Sequence, residues 1–168
     1  MRVYLLGYMG CGKSTLGRIL GEELGMQFID LDDEIEAKYK MTITDFFSTY
    51  GEEAFRLVEH KLLMEISKLE DVIISTGGGT PCFFDNLKHM SETGITIYLK
   101  ATPYLLLERI RKSHTKRPLF LKMKGDEALQ QITNHLEGRL TYYNQAQVII
   151  DAENPDIKSI IDHIRKII

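Results

Sequence analysis

Short apolar runs alternate along this chain with longer stretches in which apolar residues recur at helical spacing. Five runs are almost continuously apolar, at residues 3–6, 26–29, 72–74, 95–99 and 148–150. Runs of this length are typical of strands buried on both faces, as in a parallel sheet. The pattern therefore predicts five strands in a parallel sheet.

Four stretches between and after these runs have apolar residues three and four positions apart, which places one apolar face of a helix toward a sheet. The stripes are Leu16, Ile19, Leu20 and Leu24; Phe55, Val58, Leu62, Ile66 and Leu69; Leu129, Ile132, Leu136, Leu140 and Tyr143; and Ile157, Ile160, Ile161, Ile164 and Ile168. Thr102-Pro103 predicts a further helix start, with a capping threonine and proline at the first helical position. We expect an α/β fold, a three-layer sandwich around a five-stranded parallel sheet.

Composition limits the class of protein. The 168 residues suit one domain, and a net charge of −3 provides no basic field for nucleic acid or anionic lipid. No apolar stretch is long enough to span a membrane, and the N-terminal residues are typical of a first strand and not of a signal peptide. The two cysteines and five histidines lack metal-ligand spacing, so a zinc site is not expected. We expect a cytoplasmic monomer with neither nucleic-acid nor membrane partners.

A phosphate-binding motif follows the first predicted strand directly. Residues 7–14, GYMGCGKS, satisfy G-x-x-x-x-G-K-[ST] and lie between a strand and an amphipathic helix, where this motif belongs. Glycines let backbone N–H groups surround a phosphate, and the helix N-terminus adds its positive dipole end. Lys13 would reach the β- and γ-phosphates and Ser14 would bind Mg²⁺. The alternative, a glycine-rich turn with a chance lysine, does not account for the flanking elements.

The rest of the sequence narrows the kind of nucleotide-binding protein. Neither an Asn-Lys-x-Asp motif nor an Asp-x-x-Gly switch motif is present, which disfavours a GTPase. The third strand is followed by Ser75-Thr76 and not by an acidic pair, which disfavours an ATPase motor. We therefore expect ATP as the nucleotide and a small molecule as the acceptor of its γ-phosphate.

Two short segments are candidates for metal and acceptor chemistry. Asp30 and Asp32 end the second strand, where an extended chain would point both carboxylates to one side, one toward Mg²⁺ and the other toward an acceptor hydroxyl. An acidic helix N-terminus is the alternative, and it suits Asp33 better. Gly77-Gly78-Gly79 after the third strand could expose bare backbone N–H groups to a substrate, or could be only a flexible turn.

These motifs and several others, in this order, resemble the shikimate kinase family along nearly the whole chain. The further segments that carry the resemblance are Ile43-Thr44-Asp45-Phe46-Phe47, Gly51-Glu52, Phe55-Arg56, Arg117-Pro118-Leu119, and Gly138-Arg139 with Tyr143. The resemblance implies a P-loop fold of the nucleoside monophosphate kinase type. It also implies phosphorylation of the shikimate 3-hydroxyl by ATP, on the route to chorismate and aromatic amino acids.

The resemblance implies site residues as well. Lys13, Asp32 and Arg117 would be catalytic, and Ser14 and Asp30 would hold Mg²⁺. The ATP site would comprise Gly10, Cys11, Gly12, Lys13, Ser14, Thr15, Arg109, Arg117, Asn154 and Pro155, with Arg111 as the alternative to Arg109 beside adenine. The shikimate site would comprise Asp32, Phe47, Phe55, Arg56, Gly77, Gly78, Gly79 and Arg139. An acceptor-binding segment would span about residues 31–60, and a lid about residues 112–124.

Other interpretations remain open at this level. Arg56 could belong to a solvated salt-bridge face with Glu52 and Glu59, which lie one helical turn away on either side. Arg139 is a site candidate only through the resemblance. The chain could be another small-metabolite kinase, acting on gluconate or a nucleoside monophosphate, or a non-catalytic nucleotide-sensing domain.

Overall fold

A computed structural model describes residues 1–113 and 123–167 of the chain. Arg117, with Pro118 and most of the expected lid, lies outside the described residues, and so does Ile168.

Five parallel strands form one sheet, as predicted. They are β1 (Arg2–Leu6), β2 (Gln27–Asp30), β3 (Val72–Ser75), β4 (Ile95–Lys100) and β5 (Val148–Asp151), in the order β2-β3-β1-β4-β5. Every residue of β3 and the last four of β1 are buried. Since successive side chains of a strand point to opposite faces, both faces of the central sheet are covered, which confirms the three-layer arrangement.

The helices in the described ranges are α1 (Lys13–Leu24), α2 (Leu31–Tyr39), α3 (Ile43–Ile66), α4 (Asn86–Thr93), α5 (Pro103–Lys112), α6 (Gly125–Tyr143) and α7 (Ile157–Ile167), with a 3-10 turn at Thr80–Cys82. The four predicted stripes fall on α1, α3, α6 and α7, although α3 ends before Leu69, which is exposed. Thr102 caps α5 as predicted, accepting a hydrogen bond from the Leu105 N–H at 3.2 Å. None of the helices within 1–113 and 123–167 is both long and apolar enough to cross a membrane.

Close packing of α1 on the sheet fixes the helix that follows the phosphate loop. Gly17 faces Phe28 of β2, and a Cβ at Gly17 would overlap the aromatic ring. Gly21, one turn later, passes the carbonyl oxygen of Met26, which would lie 2.9 Å from a Cβ. These two glycines allow α1 to approach the sheet more closely than larger residues would.

Strand register brings three chain segments to one edge of the sheet. Ser75 at the end of β3 is paired with Asp30 of β2 on one side and with Leu5 of β1 on the other. The phosphate loop, the first acidic segment and the triple glycine all begin within two residues of these positions. The carboxyl edge of a parallel sheet is where α/β proteins bind ligands, so this edge is the candidate site.

Candidate active site

The phosphate loop has the backbone shape that its glycines predict. Gly10 and Gly12 have φ angles of +82° and +102°, which favour glycine, and α1 begins at Lys13 immediately afterwards. Lys13 is only 8% exposed, and its Nζ donates hydrogen bonds to the carbonyl oxygens of Gly7 at 2.6 Å and Tyr8 at 3.2 Å. The loop therefore holds a buried ammonium group beside a ring of backbone donors and a helix N-terminus.

Asp30 differs from the prediction in its local structure. The chain does not stay extended from Asp30 to Asp32, because α2 begins at Leu31 and Asp30 is its N-cap. One carboxylate oxygen of Asp30 accepts hydrogen bonds from the N–H groups of Asp32 at 3.1 Å and Asp33 at 3.4 Å. The expectation of an extended acidic pair was therefore wrong, since an aspartate at this position stabilises a helix start.

The second carboxylate oxygen of Asp30 faces the nucleotide side of the site. It accepts a hydrogen bond from the Ser14 hydroxyl at 2.5 Å. This places one carboxylate and one hydroxyl oxygen together at the N-terminus of α1. Mg²⁺ prefers oxygen ligands and commonly uses only one or two protein groups beside phosphate and water, so this pair fits such an ion. Within the part of the chain that the structure describes, no three His, Cys, Asp or Glu side chains form a metal-binding group.

Asp32 lies on the acceptor side despite its helical position. It is half-buried in the first turn of α2, and its Oδ1 would lie 3.1 Å from a Cβ placed on Gly77. Its neighbour Asp33 is largely exposed. The pKa of the Asp33 carboxyl is raised, mainly by partial desolvation and secondly by repulsion from Asp30. The two predicted aspartates thus face different parts of the site, Asp30 toward Ser14 and Asp32 toward the triple glycine.

The triple glycine is closely packed by charged side chains. A Cβ on Gly77 would lie 2.7 Å from a Glu59 oxygen, and one on Gly78 would lie 2.8 Å from Nη1 of Arg139. A Cβ on Gly79 would lie 2.5 Å from Nη2 of Arg56. Real Cβ atoms do not make contacts under 3.0 Å, so a side chain at any of these positions would displace the charged group beside it. The alternative of a merely flexible turn does not explain this packing.

Arg56 is buried, which contradicts the interpretation of a solvated salt-bridge face. It is 8% exposed, and its Nη1 donates to Glu59 at 2.9 Å. Its Nε and Nη2 donate to a single oxygen of Glu52 at 3.4 and 3.3 Å. Glu52 and Glu59, which precede and follow Arg56 on α3, therefore fix its guanidinium.

Aromatic rings surround the same guanidinium. Its Cζ lies 4.2 Å from the ring centroid of Phe83, 5.2 Å from that of Phe55 and 5.8 Å from that of Phe47. Phe47 and Phe55 also contact each other, with centroids 4.5 Å apart. Cation–π contacts strengthen when water is excluded, so these rings hold Arg56 in place and line the adjoining space.

Glu59 is a site residue that the motifs did not single out. It is completely buried, and desolvation raises the pKa of its carboxyl while Arg56 and a hydrogen bond from Thr80 oppose that rise. Tyr143, predicted as an apolar-face residue of a helix and as part of the motif with Arg139, donates its hydroxyl to the Gly78 carbonyl at 2.6 Å, and burial raises the pKa of that hydroxyl. The sequence signals for these two site residues were the position of Glu59 one helical turn from Arg56 and the place of Tyr143 in the motif with Arg139.

Arg139 reaches the site from α6. Its Cζ lies 5.4 Å from the ring centroid of Tyr8, whose hydroxyl is 3.0 Å from Nδ1 of His135, one turn earlier on the same helix. Nη1 of Arg139 is buried and has no hydrogen-bond partner among the described residues. Buried donors are rarely left unpaired in proteins, so this nitrogen is available to an anionic ligand beside Gly78.

The two arginines considered for the adenine side occupy different places. Arg109 donates to the carbonyl oxygens of Cys11 at 2.9 Å and Ala152 at 2.9 Å, so it joins the phosphate loop to the segment after β5. Arg111 instead approaches Gly125 at the start of α6. In the predicted adenine loop Asn154 is exposed and Pro155 half-buried, while Thr15 is exposed in the first turn of α1.

Comparisons with known proteins agree with this geometry. A model of the shikimate kinase family matches residues 9–168. A shikimate kinase of Azobacteroides pseudotrichonymphae genomovar. CFP2 is 45% identical over 164 residues, covering 97% of this chain and 96% of that protein. The solved structure of Bacteroides thetaiotaomicron shikimate kinase has a TM-score of 0.92 and 38% identity, covering 99% of this chain and 97% of that one. The structure of Acinetobacter baumannii shikimate kinase in complex with shikimate has a TM-score of 0.85 and 32% identity, with coverages of 99% and 91%.

Proposed function

Because the chain belongs to the shikimate kinase family, we propose that it transfers the γ-phosphoryl group of ATP to the 3-hydroxyl of shikimate, giving shikimate 3-phosphate and ADP. It is an ATP-dependent kinase, as its motifs predicted. The alternatives of a gluconate kinase, a nucleoside monophosphate kinase and a nucleotide-sensing domain are set aside, since the family model and the close relatives all belong to shikimate kinases.

The nucleotide binds along the phosphate loop. Backbone N–H groups of residues 10–15 and the N-terminus of α1 surround the β-phosphate, and Lys13 bridges toward the γ-phosphate. Arg109 borders the adenine end, which its bonds to Cys11 and Ala152 support. Asn154 and Pro155 complete that end of the site.

Ser14 and Asp30 hold Mg²⁺, a role that the 2.5 Å contact between their oxygens supports. When bound, the ion neutralises the charge that develops on the β- and γ-phosphate oxygens. Asp30 has a second task in this chain, because its other carboxylate oxygen caps α2 and so positions Asp32.

The single observation that carries the acceptor assignment is a pair of arginines at adjacent glycines, Arg56 buried and Arg139 half-buried with a buried Nη1. Arg56 contacts Gly79, and Arg139, with its buried Nη1 lacking a partner among the described residues, contacts Gly78. Planar guanidinium groups bind carboxylates in a forked geometry, and shikimate carries one carboxylate. Phe47 and Phe55 line the apolar side of this pocket.

Asp32 lies beside Gly77, the first of the three glycines, and orients the acceptor hydroxyls. In the reaction the 3-oxygen of shikimate forms a bond to the γ-phosphorus as the bond to the bridging oxygen of ADP breaks. The hydroxyl proton passes to Asp32 or to solvent. Phosphoryl transfer depends mainly on positioning and charge neutralisation, so Lys13 and Arg117 supply most of the stabilisation of the transferred group.

The organisation of the chain follows from these roles. Residues 1–168 form a single kinase domain, with an acceptor-binding segment at about 31–60 and a lid at about 112–124 that closes over the phosphates and excludes water. Residues 31–60 extend from the start of α2 to within α3, which carries Arg56. The enzyme acts as a cytoplasmic monomer without nucleic-acid or membrane partners, consistent with its net charge of −3.

A coupled spectrophotometric assay of ADP formation tests the function directly. ADP release from ATP and Mg²⁺ is measured with shikimate, with gluconate, with nucleoside monophosphates and with no acceptor. Release that depends on shikimate alone supports the proposal, and a Lys13→Met variant should remove it. Release with another acceptor, or none with shikimate, would overturn it.

A further inference from the structure

A buried hydrogen-bond chain supports the arginine pocket from behind. The Thr80 hydroxyl donates to Oε2 of Glu59 at 2.8 Å, while Oε1 of the same carboxylate accepts from Arg56 at 2.9 Å. Thr80 and Glu59 are both completely buried. The two oxygens of Glu59 therefore have different tasks, one toward Arg56 and one toward Thr80.

The backbone of Thr80 is itself fixed by two hydrogen bonds. Its backbone N–H donates to the Gly77 carbonyl at 3.1 Å, and its own carbonyl accepts from the Asn86 side chain at 2.9 Å. The Asn86 side-chain oxygen in turn lies 2.6 Å from Nδ1 of His60 on α3. Because Asn86 is also completely buried, the 3-10 turn that begins at Thr80 is locked against α3. The Thr80 hydroxyl is thus a rigid donor and not a mobile one.

We propose that Thr80 is a positioning residue for the acceptor carboxylate, because its hydroxyl holds the Glu59 carboxylate against Arg56 and thereby sets the direction of the guanidinium. Thr80 needs no contact with the acceptor for this role. The inference rests on the proposed function, in which Arg56 binds the carboxylate of the acceptor.

The chemistry of a buried carboxylate supports this role. Desolvation raises the pKa of Glu59, whereas the positive charge of Arg56 and the hydrogen bond from Thr80 lower it. A hydroxyl donor favours the ionised form, which is the form that pairs with Arg56. The other charged or titratable groups around Glu59 are Arg139, Asp32, which shares the space beside Gly77, and the Cys82 thiol.

The pH dependence follows from these contacts. Protonation of Glu59 weakens its hold on Arg56, so affinity for the acceptor falls as the pH drops through the pKa of Glu59. Removal of the Thr80 hydroxyl raises that pKa further, and the loss of affinity then begins at a higher pH. A role of Thr80 in packing alone would not move this profile.

The experiment compares Thr80→Val, which keeps the shape without the donor, with Thr80→Ser, which keeps the donor. We expect Thr80→Val to raise KM for shikimate roughly 10-fold, since hydrogen bonds to charged groups have effects of that order. KM for ATP should stay within about two-fold, because the phosphate loop is untouched. Thr80→Ser should remain close to the wild type. Thr133→Val is the matched control, because among the described residues the Thr133 hydroxyl donates its hydrogen bond to the Leu129 carbonyl of its own helix.

A second measurement requires no turnover. The carboxyl carbon of Glu59 is followed by ¹³C NMR during a pH titration, with Glu59→Gln used for assignment. The titration should move to higher pH in Thr80→Val and stay in place in Thr80→Ser. Thr80→Ala removes the hydroxyl without adding a methyl group and serves if valine prevents folding.

An unchanged KM for shikimate and an unchanged Glu59 titration in Thr80→Val would overturn the inference. The inference would also be overturned if Thr80→Ser raised KM for shikimate as much as Thr80→Val does while its Glu59 titration stayed as in the wild type. That result would show a packing role for Thr80. If the wild-type enzyme forms no ADP with shikimate, the proposed function fails. The Glu59 titration would still decide whether Thr80 controls this carboxylate.

Discussion

The guanidinium of Arg56 occupies the space that a side chain at Gly79 would need. A Cβ on Gly79 would lie 2.5 Å from Nη2, 2.7 Å from Nη1 and 2.8 Å from Cζ of Arg56. Glu59 and the ring of Phe83 hold Arg56 on its other sides, so the guanidinium has little room to retreat. The glycine and the arginine are therefore one structural unit, although 22 intervening residues separate them in the chain.

Gly79→Ala should impair shikimate binding through this contact. The new methyl group displaces Arg56, and a misplacement of about 1 Å at a positioning residue can lower kcat/KM roughly 100-fold. KM for shikimate and KM for ATP from steady-state kinetics are the measurement, and we expect only the former to rise strongly.

Gly138→Ala is the control for that substitution. Gly138 lies inside α6, and none of the described residues has an atom within 4 Å of the position of an added Cβ, apart from its chain neighbours and the backbone of its own helix. Alanine in a helix interior is more stable than glycine by about 0.5–1 kcal/mol, so this variant should be active and unfold at a slightly higher temperature. Wild-type shikimate kinetics in Gly79→Ala would contradict the role of the Arg56–Gly79 contact.

Asp32→Asn should nearly abolish turnover while ATP still binds. Asp32 lies beside Gly77 on the acceptor side, and an amide cannot accept the hydroxyl proton or orient it as a carboxylate does. We expect kcat to fall at least about 100-fold, and isothermal titration with a non-hydrolysable ATP analogue measures the retained affinity. The exposed neighbour Asp33→Asn should keep wild-type kcat. Normal turnover in Asp32→Asn would exclude this role.

The strands and loops that depend on a local sequence pattern could be predicted from the sequence alone. The apolar runs at residues 72–74 and 95–99 agree with β3 and β4 because buried parallel strands need continuous apolar side chains. The phosphate loop could be predicted because phosphate binding requires particular residue types at neighbouring positions in the chain. The start of α2 was only the alternative to an extended acidic pair, since it depends on the Asp30 side chain turning back to cap the helix.

The arrangement of the acceptor pocket depends on contacts between distant segments. Arg139 and Tyr143 meet Gly78 from α6, more than 60 residues later in the chain. No spacing in the sequence predicts that meeting, and the resemblance alone pointed to Arg139. Glu59 was considered only as a partner of Arg56, and Thr80 was not considered as a site residue, because their burial and their mutual hydrogen bond exist only in the folded chain.

The two tasks of Asp30 can be separated by two substitutions. Asn at an N-cap accepts the same backbone hydrogen bonds, so Asp30→Asn should keep its stability while the Mg²⁺ concentration needed for half-maximal activity rises. Asp30→Ala should in addition lose about 1 kcal/mol of unfolding free energy through the missing cap. Thermal unfolding and Mg²⁺ titrations of activity are the measurements. An unchanged Mg²⁺ requirement in both variants would remove Asp30 from the metal site.

Replacing Arg109 by methionine should raise KM for ATP much more than replacing Arg111 by methionine. Arg109 donates to the carbonyl oxygens of Cys11 and Ala152, and it thereby ties the phosphate loop to the segment that precedes the predicted adenine loop. Loss of both hydrogen bonds, each contributing about 1 kcal/mol, should raise KM for ATP up to roughly 30-fold. KM for shikimate should change little, because both contacts lie away from the triple glycine.

Arg111→Met is the matched control, since Arg111 is an exposed residue of the same helix near Gly125. Steady-state kinetics with ATP varied at saturating shikimate provide the comparison. A larger effect on KM for ATP in Arg111→Met than in Arg109→Met would move the adenine contact to Arg111. The hydrogen bonds of Arg109 would then contribute less to nucleotide affinity than Arg111 does, and their main role would be to hold the phosphate loop in place.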